Sequence, residues 1–280
     1  MTSTTSCNSK THQFLSMYLW SMRKNMATII TYSLFLLFSF PLLLLFYNTL
    51  TAANIIDRAD FLIEANNTVY PIIFGCILML FTLLVSVFMF SYLHKKRSVD
   101  MFGALPMSRR TLFFSRYLAG LTILLAPLLV VTGVCIPMCL PHTEAIWALL
   151  NAMLCLVIAT VVSYTFTAFI AVCCGTTADM VISVLAINGL YPAAVGICQL
   201  MSTTILPGVI TEFNPSVVAY TAFSPYVTGI TSALSGTSRY NGATLFEMPG
   251  QLLCWFILAA ACFAGCVVLS RRRKAESAQA

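Results

Sequence analysis

Charge is what this sequence has least of. Asp, Glu, Lys and Arg make up 9% of its 280 residues, where a soluble domain carries roughly a quarter. Too few polar groups remain to build a water-facing surface, so a soluble globule is excluded and lipid must solvate the surplus apolar side chains. Within the long apolar runs, ionisable groups are nearly missing. Asp179 and Arg116 fall at the edges of runs, and His94 and His142 fall between runs. This disfavours a carrier coupled to a proton or ion gradient, which needs carboxylates or histidines at membrane depth, although unwound carbonyls still offer a site for Na⁺. Also missing are an H-E-x-x-H pair, a G-x-S-x-G elbow and a G-x-x-x-x-G-K-[ST] loop. Their absence argues against an intramembrane protease and means that this chain does not hydrolyse ATP alone. We therefore expect no enzyme activity, catalytic residue, cofactor or metal in this chain, and any work it does must be powered by a partner.

What is present is apolar: 59% hydrophobic residues and a mean hydropathy of +0.90. The runs are long and unbroken, where a barrel would alternate in segments of roughly ten residues. Spanning backbone must satisfy its own hydrogen bonds, so these runs read as helices. The expected fold is all-α and polytopic, with spans at about 27–48, 70–93, 112–137, 145–172, 178–200 and 249–270. Pro41 is expected to kink span one, Pro127 lies inside span three, and Asn188-Gly189 with Pro192 are expected to break span five. Residues 1–25 divide into a Ser/Thr-rich tail, expected to be disordered to about residue 11, and a helix over 12–25. Phe14, Leu15, Tyr18, Leu19 and Met22 share one face of that helix, which suits a position flat in the membrane interface, the alternative being a simple N-terminal extension of span one. Residues 26–270 form the membrane domain and 271–280 a basic tail.

Lys and Arg decide the orientation. With the N-terminus in the cytoplasm, all of the 15 cations except Arg58 and Arg239 fall on the cytoplasmic side, which places both termini inside and requires an even number of spans. The formal charge of +6 is thus a topology signal, and no nucleic-acid partner is expected. Of the 11 cysteines, Cys76, Cys135, Cys139, Cys155, Cys198, Cys254, Cys262 and Cys266 lie inside apolar runs, where Cys acts as a small hydrophobe. The i, i+4 pairs Cys135/Cys139 and Cys262/Cys266 have no His or carboxylate beside them on their spans, which favours packing over metal binding. No structural disulfide is expected. The outer segment 201–248 is too apolar for a free loop and reads as short helices dipping into the leaflet or capping the bundle. Its Glu212 reads as a helix cap or a cargo contact.

The cytoplasmic connection 94–111 carries the most distinctive pattern. Lys95, Lys96 and Arg97 stop span two. Val99, Phe102 and Leu105 line one face of a short helix that Pro106 ends, and Ser108 is placed to cap the helix of span three. Such an amphipathic segment serves either as a grip for a cytosolic partner or as a linker lying on the bilayer. The stretch from Lys96 to Pro106, with Ser108-Arg109-Arg110 and Phe113-Phe114-Ser115-Arg116-Tyr117-Leu118-Ala119-Gly120, resembles the first cytoplasmic loop of ABC-2 type permeases. The likeness is to the Gram-positive bacterial branch with a K-R-[ST]-x-D-x-x-x-[SA]-L-P pattern. The basic stretch Arg272-Arg273-Lys274 is also similar to the segment after span six in that branch.

The resemblance implies a half-transporter of the bacterial cell membrane, acting as an exporter, that pairs with a second permease subunit as a homo- or heterodimer. It also implies that a separate ATP-binding cassette subunit, which holds ATP and Mg, docks on 94–111. Asp100, Gly103, Leu105, Pro106 and Arg109 are then the partner-coupling residues. Many members of this branch continue into further spans, so the resemblance also implies a truncated relative or a fragment. The alternatives are a non-transporting scaffold or sensor component that binds a cytosolic partner, or a secondary carrier. Spans without charge suit an amphipathic or lipid-like cargo.

Overall fold

The computed structural model describes residues 3–51, 62, 69–95, 101, 108–140, 142–205 and 249–272. Among these residues the fold is all-helical, without strands. The helices are α1 (Ser3–Lys24), α2 (Met26–Thr51), α3 (Tyr70–Phe90), α4 (Arg109–Cys135), α5 (Thr143–Cys173), α6 (Thr177–Ile205) and α7 (Pro249–Arg272). Single turns of 3₁₀ helix extend α3 over Ser91–Leu93 and α4 over Ile136–Cys139. Three stretches, Ile72–Leu93, Arg109–Cys139 and Thr143–Cys173, are long and apolar enough to cross a membrane. Shorter apolar stretches lie in α2 (Met26–Ser39), α6 (Thr177–Leu190) and α7 (Leu253–Leu269).

Two local expectations are corrected. Helix α1 begins at Ser3, so residues 3–11 are helical rather than disordered. Helix α6 runs unbroken through Asn188, Gly189 and Pro192. A break in an apolar setting exposes several backbone groups with no water to satisfy them, whereas a proline within a helix removes one hydrogen bond. Asn188 also ties itself to the preceding turn, its Nδ2 donating to the Val184 carbonyl at 2.8 Å. Pro41 and Pro127 likewise sit inside continuous helices.

Helix α5 packs most extensively on α3 and α7, while α4 packs on α1, α2 and α3. Contacts at both ends set α3 antiparallel to α4: Tyr70 Oη lies 2.8 Å from Thr132 Oγ1, and Arg116 reaches Met89 at the other end. Buried hydroxyls stitch the remaining helices. Ser86 pairs with Thr167 at 2.8 Å and Tyr117 with Thr165 at 2.7 Å, while Tyr32 Oη donates to the Leu124 carbonyl at 3.1 Å. Among lipid tails such bonds are worth about 0.6 kcal/mol each on average, so close packing carries most of the stability.

The tightest packing surrounds an aromatic cluster of Phe90, Phe113, Tyr117, Tyr164 and Phe263, with Tyr117 and Tyr164 centroids 5.2 Å apart. Gly120 lets α5 approach α4 there. A Cβ at this position would fall on Tyr164 Oη, 2.7 Å from Cζ and 3.2 Å from Met89 Cγ. Tyr164 is fully buried and cannot step aside. Gly120→Ala is expected to destabilise the bundle by about 1–3 kcal/mol, read as a lower Tm of the detergent-purified chain. An unchanged Tm would show that α4 and α5 do not meet at this point.

Candidate functional site at the basic end of the bundle

The segment expected to couple to a partner adjoins described helices at both of its ends. Of its predicted residues, Asp100, Gly103, Leu105 and Pro106 lie outside the described residues, as does Glu212. Arg109 is described and exposed at the first position of α4. Ser108 caps α4 as its sequence position predicts: its backbone is extended (φ −70°, ψ 142°) and its Oγ accepts the Thr111 N–H at 3.1 Å. Before the segment, α3 tightens into a 3₁₀ turn in which the His94 N–H donates to the Ser91 carbonyl at 3.2 Å. The connecting segment is therefore bracketed by His94-Lys95 at the end of α3 and by Ser108-Arg109 at the start of α4.

Between these two points lies a buried cation. Arg116 sits on α4 about 12 Å beyond Ser108, at 1.5 Å rise per residue. It is only 4% exposed, where sequence position alone suggests a basic residue at the edge of a span. Its Nη1 donates to the Met89 carbonyl at 3.2 Å, in the last turn of α3. Helix-terminal carbonyls form the negative end of the backbone dipole, so a cation is favoured there. The guanidinium carbon lies 4.1 Å from the Tyr92 ring centroid and 5.5 Å from that of Trp20. Lys24 Nζ stands 5.0 Å from the same Trp20 ring. Both Arg116 contacts fall within the ~6 Å reach of cation–π attraction, and the shorter one is the stronger.

Two further links tie this end of the bundle together. His94, predicted as a loop residue, is buried, and its Nδ1 donates to the Gly175 carbonyl at 3.2 Å. Gly175 lies in the turn between α5 and α6, where Thr176 caps α6 by accepting the Asp179 N–H at 3.1 Å. From α1, Tyr18 Oη donates to Thr122 Oγ1 of α4 at 3.1 Å. The buried face of α1 is built from Tyr18, Ser21 and Met22, while Leu15 and Leu19 point outward at 53% and 44% exposure. The apolar face expected for α1 is therefore split between the bundle and its surroundings.

No family model matches this chain, and no curated protein sequence matches it. Geometry alone must then say what the site can do. One arginine and one histidine tie together α1, the end of α3, the start of α4 and the α5–α6 turn. All four converge where the connecting segment joins the bundle. Arg116 and His94 thus link several helices by direct contacts at this end of the bundle. Among the described residues, no three His, Cys, Asp or Glu side chains come together as a metal site. The ten cysteines from Cys76 to Cys266 carry unbridged thiols.

Proposed function

We propose that this chain is the membrane-spanning permease subunit of an ATP-binding cassette transporter, worked as an exporter by a separate ATPase subunit that docks on segment 94–111. In this reading α2, α6 and α7 cross the membrane along with α3, α4 and α5. The concentration of Lys and Arg at one end of the bundle supports the placement of both termini and this segment in the cytoplasm. The observation that carries the reading is the buried Arg116 anchor. A segment destined only to lie on the bilayer needs no such foundation. A segment that receives force does, because otherwise the force bends the loop and leaves the helices where they are. The N-terminal helix packed on α4 and the resemblance of residues 96–120 to the first cytoplasmic loop of ABC-2 type permeases support the same reading. A second permease subunit would complete the transporter.

The direct test is purification of the tagged chain from its native membrane. A P-loop ATPase is expected in stoichiometric amount, with hydrolysis that vanadate inhibits. Cargo movement by the chain without such a companion, abolished by an ionophore and indifferent to vanadate, would instead identify a secondary carrier. A different cytosolic partner without transport would identify a scaffold.

A further inference from the structure

Helix α1 is tied to the bundle along one side. Tyr18 Oη and Met22 Sδ lie 3.1 and 3.5 Å from Thr122 Oγ1 of α4. The outer side carries Leu15, Ser16, Leu19, Trp20, Arg23 and Lys24, at helical spacing and all exposed. Its leucines come first and its two cations fill the last turn. Trp20 stands between them and is 41% exposed. Lys24 Nζ lies 5.0 Å from the Trp20 ring, and the buried Arg116 approaches the same ring at 5.5 Å. Both are within reach of cation–π attraction.

The chain fixes the level of these exposed cations. One residue, Asn25, separates Lys24 from Met26, the first residue of α2. Its N–H donates to the Met22 carbonyl at 3.2 Å, its Nδ2 to the Ser21 carbonyl at 2.8 Å, and its own carbonyl accepts the Ile29 N–H at 3.1 Å. No loop is present to carry Arg23 and Lys24 away from the apolar stretch Met26–Ser39. Where α2 enters the membrane, both therefore stand at the level of the lipid headgroups, the depth at which Trp also collects. Among the described residues no carboxylate neutralises them. Glu144 begins α5 at the opposite end of the bundle, and Asp179 belongs to α6, whereas α1 packs on α4 and α2.

We propose that the outer face of α1 is a binding site for an anionic phospholipid, its phosphate held by Arg23 and Lys24 beside Trp20 and its upper acyl carbons against Leu15 and Leu19. Charge complementarity selects this occupant, because Lys and Arg at a membrane surface are attracted by anionic headgroups. The exposed leucines suit the acyl boundary just beneath those headgroups. The site requires that α2 enter the membrane, and it stands whether or not an ATPase drives the chain.

The test is native mass spectrometry of the full detergent-purified chain in an equimolar mixture of phosphatidylglycerol and isotope-labelled phosphatidylcholine with matched acyl chains. The first lipid bound is expected to be phosphatidylglycerol by about 25-fold, about fivefold for each cation. Arg23→Gln with Lys24→Gln should bring the ratio to near parity, while Lys24→Arg should keep it. Lys95→Gln with Arg110→Gln, which removes two other exposed cations of the same end, should leave it in place. Inorganic phosphate in large excess should leave it in place as well. Each ratio is read within one sample, so folded yield does not enter it. Equal binding of both lipids by the wild-type chain would overturn the proposal and leave the face to an acidic protein partner. A preference that survives the loss of Arg23 and Lys24, or that depends on Lys95 and Arg110, would also overturn it. Displacement of the lipid by phosphate would show a site for free anions instead. ATPase recovery, measured separately, reports on the function proposed above.

Discussion

Arg116→Ala is expected to lower bundle stability by about 2 kcal/mol and, if the chain is the proposed ATPase-driven permease, to uncouple nucleotide hydrolysis from transport while the ATPase remains bound. The loss combines a desolvated cation–π contact worth about 2 kcal/mol with a charge-assisted hydrogen bond worth about 1.5–3 kcal/mol. It is offset by the cost of keeping a guanidinium out of water, which disappears with the side chain. For a chain of this size a net change of about 2 kcal/mol corresponds to a fall in Tm of roughly 4–8 °C. Arg116→Lys separates charge from shape, since an ammonium lacks the planar fork that stacks on Tyr92 while donating to Met89. Intermediate stability is therefore expected from it. A double-substitution cycle of Arg116→Ala with Tyr92→Leu should give a coupling of about 1–2 kcal/mol. The same cycle with Trp20 should give less, because that ring lies 5.5 Å from the guanidinium rather than 4.1 Å. Additive effects at Arg116 and Tyr92 would mean that the contact carries no force.

Charged substitutions in the connecting segment should have the largest functional effect. Leu105→Asp combined with Met107→Asp is expected to reduce recovery of the ATPase with this chain by at least about tenfold, a loss of ~1.4 kcal/mol of binding free energy. Apolar anchors at the centre of a docking surface commonly cost about 2 kcal/mol or more when removed, and a carboxylate placed there must also give up its water. Size-exclusion behaviour of the purified chain should not change, because both positions fall in sequence between α3 and α4 and within neither helix. Undiminished ATPase recovery with both carboxylates in place would remove this segment as the docking surface.

The long elements are legible in the sequence because lipid imposes a simple rule. An apolar run of about 20 residues has to become a helix, and the described helices cover those runs. The Ser108 cap is legible for an equally local reason, a hydroxyl placed three residues before an N–H that needs an acceptor. Asn188-Gly189 and Pro192 mislead because helix propensities measured in water overstate what these residues do where an open helix end has nothing else to bond. Arg116 misleads because distance along the sequence from a charged loop says little about burial. Its signal is present in Phe113-Phe114-Ser115-Arg116-Tyr117, an arginine set among aromatic residues well inside a helix. Its partners Met89, Tyr92 and Trp20 come from two other helical segments, and no spacing in the sequence links them. Leu15 and Leu19 show the same limit: a helical face can be read from periodicity, but which part of it meets a neighbour cannot.

The side of the membrane on which residues 96–107 lie decides the account. Ser98→Cys places a thiol in the segment, and an impermeant maleimide followed by mass spectrometry of the peptide carrying it reads that thiol without removing the native cysteines. Modification only after the cells are permeabilised is the predicted result. Full modification in intact cells would put the segment beyond the reach of any cytosolic ATPase and contradict the mechanism.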